Sequence, residues 1–505
     1  MRHIILKIKL KLESKELKEI NSTYKQYYLL FLIILSGIAV RYYFRIGHIF
    51  SDDAYYTYLS FSLLNGDFAK DYLGYPVFPL RIAFIAITSI SMKIFGANEF
   101  AAMIFPFVFS LVNILLTYKL TRLLTENEKI AITAALLISF FPTDVIFASI
   151  NFPDLINIFF INLGIYFLLK SHIQKINRYT IVGGVLLFLS MQFKENIYYL
   201  LILFVIPLGY FIIKNRRLNL QLFVGIIFIA GNYLIEGLVY LFLHNDFFYR
   251  ITITNINYRY SFYDFFPYTA EKISGSKNYF LNLFDQIILI NSKSIFLRRF
   301  YLLLPLVATV QTFFNFKKKE QHLLTFWFWG TAILMIAFTT SFTEYKPLDL
   351  ARSWYIYPVL MPMLILSAKF INRFSKLIKS GLVVIYILGS LIMCFEYQNF
   401  FDKDNLTALK TFLRDNPSEI IYTDHFTKYS VDLIREYQAA NSKKILESDF
   451  DFSQVAAGDW ILYNKKHIEE LKLQKYQFPD FSILNSRTFR KVAAFNDFIF
   501  YEKLY

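Results

Sequence analysis

The chain has 505 residues, of which 56% are hydrophobic and only 18% are charged, a composition that is unusual for a soluble protein. The formal net charge is +15, but the basic residues form short clusters between apolar runs of about 20 residues, the length that crosses a bilayer. Composition and charge therefore disfavour a nucleic-acid partner, and they predict an α-helical polytopic membrane protein.

The first 26 residues are basic and amphipathic, and no small-residue cleavage site precedes the first apolar run. We therefore expect residues 1–26 to form a retained cytoplasmic or interfacial segment. The Lys and Arg residues before this run place the N-terminus in the cytoplasm, because positively charged flanks stay on that side. Residue 50, just after the first predicted span, then lies on the extracytoplasmic face.

Eleven apolar runs within residues 27–399 have the composition of transmembrane helices, and they define a predicted transmembrane domain. The runs cover approximately residues 27–46, 99–118, 130–149, 153–170, 179–196, 198–213, 219–243, 300–315, 322–341, 354–370 and 380–398. The last run contains Cys394, the only cysteine, so the sequence predicts neither a disulfide framework nor a cysteine-based metal site.

The run from Phe78 to Phe95 is long enough to span, but it carries Arg81 and Lys93. If it spanned, the five basic loops that follow would face outward, whereas an outer juxtamembrane helix places all five in the cytoplasm. The positive-inside bias favours the juxtamembrane helix. The five loops are residues 117–129, 170–178, 214–218, 316–322 and 369–379.

This orientation gives the outer face most of the acids that could carry chemistry. The outer segments are residues 47–98, the turn at 149–154, the turn around 193–196, the loop 244–299, the segment 342–354 and everything after about 399. The loop 244–299 is rich in Tyr and Phe, which suits either a plain interfacial loop or a substrate-facing element.

Residues 400–505 are more polar, and their apolar runs shorten to the length of strands. The sequence predicts strands at 419–424, 443–448, 459–464 and 491–503, the last as a hairpin around Asn496 and Asp497. Helical spacing at 431–440 and 466–474 indicates a small extracytoplasmic α/β domain. This domain has neither a glycine-rich phosphate loop nor a nucleophile motif.

Three acids at the predicted outer face are candidate catalytic groups. Asp52 and Asp53 follow the first span, and Asp154 stands at the start of a later one. A carboxylate near hydrocarbon is unfavourable unless it is solvated, paired or functional. The alternative is structural: Ser51 or Asp52 could cap a helix that begins near Ala54, and Asp154 could mark a helix start.

Two basic residues on the same face could bind an anionic group. Lys194 interrupts an apolar stretch and either belongs to a turn between two spans or meets an anion at the outer surface. Arg352 precedes a predicted span, where it could extend to the interface or bind phosphate through its planar guanidinium group.

The order of these segments resembles that of the polytopic GT-C glycosyltransferases, and more narrowly the branch of protein O-mannosyltransferases and lipid A aminoarabinose transferases. The resemblance covers roughly residues 25–400 and includes DDAYYTYLSFSLLNGD, GYPVFPLRIAFIAITSISMKIFG and ISFFPTDVIFASINFPDLINIFFINLGIYFLL. That family opens the first outer loop with an acidic pair, usually Asp-Glu, and starts a juxtamembrane helix with a Pro-Pro-Leu-like motif. Here the pair is Asp52 and Asp53, and the motif is spread over residues 76–80.

Three further positions match the family by their order along the chain. The second Asp of the family falls on Asp154, a Lys after the next hairpin on Lys194, and a basic residue before the last-but-one span on Arg352. The second Asp in place of Glu and the interrupted Pro pair depart from the family pattern and leave the substrate subclass open. The Trp-Trp-Asp motif of oligosaccharyltransferases is absent, which argues against the N-glycosylation branch.

The resemblance implies an inverting glycosyltransferase that moves a sugar from a polyprenyl-phosphate donor, held in the membrane lipid, to a glycan, lipid or protein acceptor. It places the reaction on the extracytoplasmic face of the plasma membrane. In this scheme Asp52 is the general base, and Asp154 is a second catalytic acid that orients a substrate. Asp53, Lys194 and Arg352 are the expected substrate-binding residues. Carboxylates at an outer face also suit a divalent cation, although the sequence gives no ligand set.

Two other functions stay open at this point. A transporter or flippase of lipid-linked sugars would use the acids for ion coupling, but such carriers usually have related halves and polar residues at the middle of the membrane, and the sequence has neither pattern. A membrane-anchored protein could instead bind a partner through residues 400–505. The clustering of acids at the outer face favours the enzyme.

Overall fold

The computed structural model describes residues 24–67, 77–216, 218–262, 287, 299–314, 322–337, 353–417, 419–437, 442–444, 450–473 and 478–505. The predicted N-terminal segment, up to residue 23, and Arg352 lie outside these residues. Helices dominate the described chain up to residue 415, and a small mixed sheet lies in the part that follows.

The first fifteen described helices belong to the part of the chain that resembles a transmembrane domain. In chain order they are α1 Tyr24–Tyr43, α2 Asp52–Leu64, α3 Ile82–Phe95, α4 Glu99–Thr125, α5 Glu128–Ser139, α6 Pro142–Phe147, α7 Pro153–Gln174, α8 Asn177–Phe193, α9 Ile202–Asn215, α10 Leu220–His244, α11 Tyr249–Phe262, α12 Leu303–Phe314, α13 His322–Ala337, α14 Tyr357–Ile371 and α15 Lys376–Phe400. Short 3-10 segments, Phe78–Leu80 and Glu195–Leu200, precede α3 and α9.

Six described helical segments are long and apolar enough to cross a membrane: α1, α4, α7, α10, α15 and the segment Trp354–Ile371, which joins a 3-10 turn to α14. The other predicted spans coincide with shorter helices or, for 130–149, with the pair α5 and α6. That run is interrupted at Phe140 and Phe141, because the residue before Pro142 is disfavoured in helical conformation. The number of eleven spans stays a prediction. Helix α3 has 14 residues, a length more typical of an interfacial segment than of a span.

Helices α7 and α8 pack closely through two glycines. A Cβ atom on Gly164 would lie 3.1 Å from the carbonyl oxygen of Gly183, and one on Gly183 would lie 2.9 Å from the carbonyl oxygen of Gly164. Any larger residue at either position would push the helices apart, as at small-residue contacts in membrane helix pairs. This contact brings together the neighbouring ends of the two helices, where Asp154 and Lys194 lie.

A buried ion pair joins α1 to α6 and α4. The Nη2 atom of Arg41 lies 2.5 Å from Oδ2 of Asp144, and both side chains are fully buried. Ser110 of α4 donates to the same carboxylate and accepts from Nε of Arg41. Because breaking a buried pair leaves an uncompensated charge, this contact fixes the three helices relative to one another.

The described residues of the C-terminal part form five strands and three α-helices. These are β1 Ile421–Thr423, β2 Ser442–Lys444, β3 Trp460–Asn464, β4 Phe489–Phe495 and β5 Phe498–Lys503, with α16 Lys403–Asp415, α17 His425–Ile434 and α18 Lys465–Leu473. The strand order is β2-β1-β3-β5-β4, and β1 runs parallel to both of its neighbours. The predicted α/β composition and the terminal hairpin are confirmed.

The helix predicted at 431–440 is misplaced along the chain. Helix α17 begins at His425 and ends at Ile434, and the chain then turns through Glu436 and Tyr437, which have φ values of 54° and 51°. Left-handed backbone at two successive residues ends a right-handed helix. Residues 435–437 therefore belong to the turn and not to the helix, and residues 438–440 of the prediction lie outside the described residues.

Aromatic side chains pack the C-terminal part against α2. The rings of Tyr58 and Tyr429 are stacked with centroids 3.8 Å apart, and those of Phe61 and Tyr437 are stacked at 3.7 Å. Stacked pairs of this kind stabilise a contact beyond the area that they bury. Helix α2, which begins with the acidic pair, is therefore held from the side of the C-terminal part.

Candidate active site

The acidic pair occupies the first turn of α2, and its two members differ in exposure. The helix begins at Asp52, and the side chain of Ser51 makes no capping hydrogen bond. The expectation that Ser51 or Asp52 caps a helix beginning near Ala54 is therefore wrong in its details. Asp52 is exposed, whereas Asp53 is completely buried.

Asp53 organises residues 48–54, which lead into the first turn of α2, carry Asp52 and are called the acid loop below. Its Oδ1 atom accepts hydrogen bonds from the backbone N–H groups of Ser51 and Ala54, at 2.8 and 3.0 Å. Its Oδ2 atom accepts from the backbone N–H of Ile49 at 2.6 Å and lies 2.9 Å from Nδ1 of His48. Both carboxylate oxygens are thus engaged within the loop, and Asp53 satisfies amide groups on both sides of Asp52.

The Asp53 carboxylate is stabilised in its ionised form. Burial alone would raise its pKa, but the charge and hydrogen bond of His48 and the N–H groups of Ile49 and Ser51 lower the pKa below its ordinary value. An ionised acceptor suits a residue that holds backbone amides in place.

Tyr56, on the same helix as the acidic pair, contacts a cation. It lies one helical turn after Asp52, is 1% exposed, and accepts a hydrogen bond from Nη1 of Arg81. Burial raises the pKa of the Tyr56 phenol, and the charge of Arg81 opposes that rise. The carboxylates of Asp52 and Asp154 raise the pKa further, which places both acids within electrostatic range of the phenol.

Arg81 stands at the start of α3, directly after the Pro-Leu sequence of the juxtamembrane motif. Its Nη2 atom donates to Oε1 of Glu195 at 3.0 Å. Burial would raise the pKa of the Glu195 carboxyl, but the charges of Arg81, Lys194 and Arg250 lower it to about 2. Arg81 therefore bridges the phenol of α2 and a carboxylate that is ionised at neutral pH.

Asp154 and Lys194 form a buried ion pair between α7 and the end of α8. The Nζ atom of Lys194 lies 2.6 Å from Oδ1 of Asp154, and the two side chains are 8% and 5% exposed. The side-chain amide of Asn157 donates to the carbonyl oxygens of Lys194 and Ser190, at 2.8 and 2.7 Å, and so fixes the backbone that carries the cation.

A second buried ion pair supports the start of α3 from the other side. Arg250 of α11 pairs with Glu236 of α10 at 2.6 Å, and it donates to the carbonyl oxygen of Leu80 at 2.8 Å. Gln192 donates to the same carboxylate at 2.7 Å. Arg250, whose charge is neutralised by Glu236, thereby fixes the backbone of Leu80, the residue before Arg81.

The structure brings four of the five predicted site residues to one end of the helices. The charges of Asp52 and Asp154 both act on the phenol of Tyr56, Lys194 pairs with Asp154, and Asp53 supports the backbone around Asp52. Arg352 lies outside the described residues. Within the part of the chain that the structure describes, no group of three or more His, Cys, Asp or Glu side chains is placed to hold a metal ion.

Sequence reasoning missed Arg81, Tyr56, Glu195 and His48 as site residues. In the sequence, Arg81 was recognised only as a charge that makes a transmembrane span at 78–95 unfavourable. Its position immediately after the Pro-Leu motif was the available signal, since a cation at the start of an outer helix must find a partner or a ligand.

Part of the chain matches a known protein family. The family model described as dolichyl-phosphate-mannose-protein mannosyltransferase matches residues 79–235, which is less than half of the chain. The matched segment contains Arg81, Asp154, Lys194 and Glu195, and it begins after the acidic pair. No curated protein matches the sequence.

Two groups of solved structures share the fold. ArnT from Cupriavidus metallidurans, crystallised with undecaprenyl phosphate, is similar with a TM-score of 0.59 and 11% identity, over 93% of this chain and 97% of that chain. The Archaeoglobus fulgidus oligosaccharyltransferase in its apo form is similar with a TM-score of 0.51 and 12% identity, over 82% of this chain. This chain spans only 64% of the length of that enzyme.

The resemblance to GT-C glycosyltransferases is confirmed by these comparisons. The matched family is described as a mannosyltransferase and one similar structure as an oligosaccharyltransferase, and the likeness to ArnT extends over 93% of this chain. The chain therefore has the GT-C fold and the architecture of a multi-pass membrane protein.

Proposed function

We propose that this chain is a glycosyltransferase that moves a sugar from a polyprenyl-phosphate donor to an acceptor on the extracytoplasmic face of the plasma membrane, with inversion. The shared fold supports the class of enzyme. The undecaprenyl phosphate in the ArnT structure and the name of the matched family support a polyprenyl- or dolichyl-phosphate donor. The lipid tail would lie in the bilayer, and the acceptor would be a glycan, lipid or protein.

The observation that carries this proposal is the contrast between the two neighbouring acids. Asp52 presents an exposed carboxylate, while Asp53 is buried and uses both of its oxygens to hold the loop. The exposed acid lies within electrostatic range of Tyr56, which accepts from Arg81. An accessible base beside a fixed cation is the arrangement that displacement of a phosphate leaving group requires.

In the proposed reaction, Asp52 accepts the proton of the acceptor hydroxyl while the oxygen forms a bond to the anomeric carbon. The bond between that carbon and the phosphate oxygen breaks, and the polyprenyl phosphate leaves with the electron pair. Attack from the face opposite to the leaving group inverts the configuration. General base catalysis of this kind contributes about 10²- to 10⁴-fold to the rate.

Cationic side chains stabilise the charge that develops on the phosphate. We assign this role to Arg81, whose guanidinium group contacts Tyr56 of α2 and Glu195, together with Lys194 and, from the family resemblance, Arg352. A planar guanidinium group can donate two hydrogen bonds to phosphate oxygens in fixed geometry. Lys194 would act mainly as a point charge, because its Nζ atom is held by Asp154.

The remaining acids support these groups. Asp154 orients Lys194 and contributes to the field around Tyr56, and Asp53 maintains the loop that presents Asp52. A divalent cation stays an additional prediction from the outer-face carboxylates, and measuring transfer after chelation and metal repletion decides whether the reaction depends on one.

The test incubates the purified full chain in lipid with a panel of polyprenyl-phosphate sugars and measures the free polyprenyl phosphate that is formed. We expect consumption of at least one donor and a loss of about 10²-fold or more in Asp52→Asn. Asp67→Asn is the matched control, since Asp67 is an exposed acid three residues after the same helix. Full activity of Asp52→Asn would refute the assigned base. A lipid-linked sugar that crosses the bilayer without being consumed would favour the flippase.

A further inference from the structure

His48 is a direct link between the acid loop and the C-terminal part of the chain. Its Nδ1 atom lies 2.9 Å from Oδ2 of Asp53, and its Nε2 atom lies 2.9 Å from Oγ of Ser430 on α17. The imidazole ring is almost completely buried, with 2% of the side chain exposed. The imidazole donates the hydrogen on Nδ1 to the carboxylate, and Nε2 forms the hydrogen bond with the Ser430 hydroxyl.

A second bridge joins the same loop to α16. The backbone N–H of His48 donates to Oε1 of Glu99 at 2.8 Å. Lys410 of α16 donates to the same carboxylate oxygen at 2.5 Å, and Arg414 contacts the other oxygen at 2.9 Å. The buried ammonium group of Lys410 also lies 3.3 Å from the carbonyl oxygen of Ile46. Charges on the C-terminal part thus fix the backbone on the N-terminal side of the acids.

These contacts form a continuous chain that ends at Asp52. Ser430 holds the ring of His48, His48 holds the carboxylate of Asp53, and Asp53 accepts the amide hydrogens of Ile49, Ser51 and Ala54. The stacked pair of Tyr429 and Tyr58 lies next to Ser430 and keeps α17 against α2. Movement of α17 would therefore be transmitted to the backbone on both sides of Asp52.

We propose that the C-terminal part positions the acid loop for transfer, and that His48 and Ser430 are the positioning residues of this contact. This inference rests on the proposed function, because it assigns the contact a role in presenting Asp52 to the acceptor. Neither residue contacts the reacting atoms in this scheme. Misplacement of a catalytic group by about 1 Å can lower the rate about 100-fold, so a loose loop would reduce kcat.

The experiment compares His48→Asn and His48→Gln with Ser430→Ala. Asparagine places its amide nitrogen near the position of Nδ1, so it keeps the contact with Asp53 and loses the contact with Ser430. Glutamine places its amide group near Nε2, so it keeps the contact with Ser430 and loses the one with Asp53. Ser486→Ala is the matched control, since its hydroxyl donates to Thr488 within the C-terminal part, at 3.0 Å.

We expect His48→Asn and Ser430→Ala to lower kcat about 10- to 100-fold, with the KM for the donor and the melting temperature unchanged. The double variant should lose no more than either single variant, because both remove the same contact. His48→Gln should lower kcat as well, and Ser486→Ala should match the wild type. Unchanged kcat in Ser430→Ala, additive losses in the double variant, or losses that follow the melting temperature would overturn the proposal.

Amide hydrogen exchange at residues 49–54 provides a readout that does not need activity. We expect faster exchange there in His48→Asn and Ser430→Ala than in Ser486→Ala. Equal rates would overturn the link even if no donor is consumed by the wild type. If the wild type consumes no donor, the proposed function fails on its own evidence, and the exchange rates still decide whether the C-terminal part holds the loop.

Discussion

Lys194 and Asp154 are separated by 40 residues in the sequence, and their side chains lie 2.6 Å apart in the folded chain. The pair joins the start of α7 to the residue that follows α8. The two helices pack closely at Gly164 and Gly183. Because both charges are almost completely buried, each depends on the other for its stability in this position.

Replacing Lys194 by Met should leave Asp154 as an unpaired buried carboxylate and destabilise the protein by about 3–5 kcal/mol. The double variant Asp154→Asn with Lys194→Met removes both charges and should regain most of this stability without regaining transfer. Unfolding in detergent, followed by helical circular dichroism, measures the first effect, and donor consumption measures the second. A stable and fully active Lys194→Met protein would contradict the assigned role of this pair.

Arg81 should not be replaceable by lysine. The guanidinium group contacts both Tyr56 and Glu195, and an ammonium group cannot reach two partners in this planar geometry. We expect Arg81→Lys to lower kcat/KM for the donor by about 10-fold or more, and Arg81→Gln by more than that. Lys93→Gln, at an exposed position of the same helix, is the control and should behave as the wild type. Equal activity of Arg81→Lys, Arg81→Gln and Lys93→Gln would show that Arg81 does not bind the phosphate.

The general architecture was predictable because hydropathy and charge act locally. Apolar runs located the described helices, and the return of polar residues near 400 marked the start of the α/β part. Strand-length runs and the Asn496 turn located the terminal hairpin. The length of the apolar run did not reveal the break between α5 and α6. The apolar run continues through Phe141 and Pro142, whereas the helix does not.

The details of the site were less predictable because they depend on distant contacts. Asp52 and Asp53 are neighbours of the same residue type, yet one is exposed and the other buried, since successive helical side chains point about 100° apart. The partner that completes the buried acid's surroundings, His48, is itself held by Ser430, 382 residues away. No local pattern carries information about a contact at that separation.

The proposed orientation predicts which side of the membrane each loop faces. Reporter tags at residues 124, 216 and 318 should all be cytoplasmic, because these positions belong to basic segments of the sequence that the positive-inside bias assigns to that side. Tags at residue 66, after α2, and at residue 497, in the β4–β5 hairpin, should be extracytoplasmic. Labelling of intact cells with a membrane-impermeant reagent distinguishes the two groups. Labelling of the tag at 124 in intact cells would place α3 across the membrane and refute the juxtamembrane assignment.

The ionised state of Glu195 predicts a specific loss of stability in acid. Its pKa in the folded protein is about 2, below the ordinary value of 4.5, so the charged carboxylate stabilises the fold at pH values above the ordinary pKa. This contribution, up to about 3 kcal/mol, should disappear as the pH falls from about 5 to 2, because the unfolded chain takes up the proton first.

Thermal unfolding in detergent between pH 6 and pH 3 tests this expectation with wild type and Glu195→Gln. The variant should melt at a lower temperature at pH 6, since Arg81 loses an ionised partner. Its melting temperature should then fall less than that of the wild type as the pH decreases, and the two curves should converge. Asp53 also has a lowered pKa, but it contributes to both proteins and cancels in the comparison. Parallel curves would mean that Glu195 is not held in its charged form by Arg81.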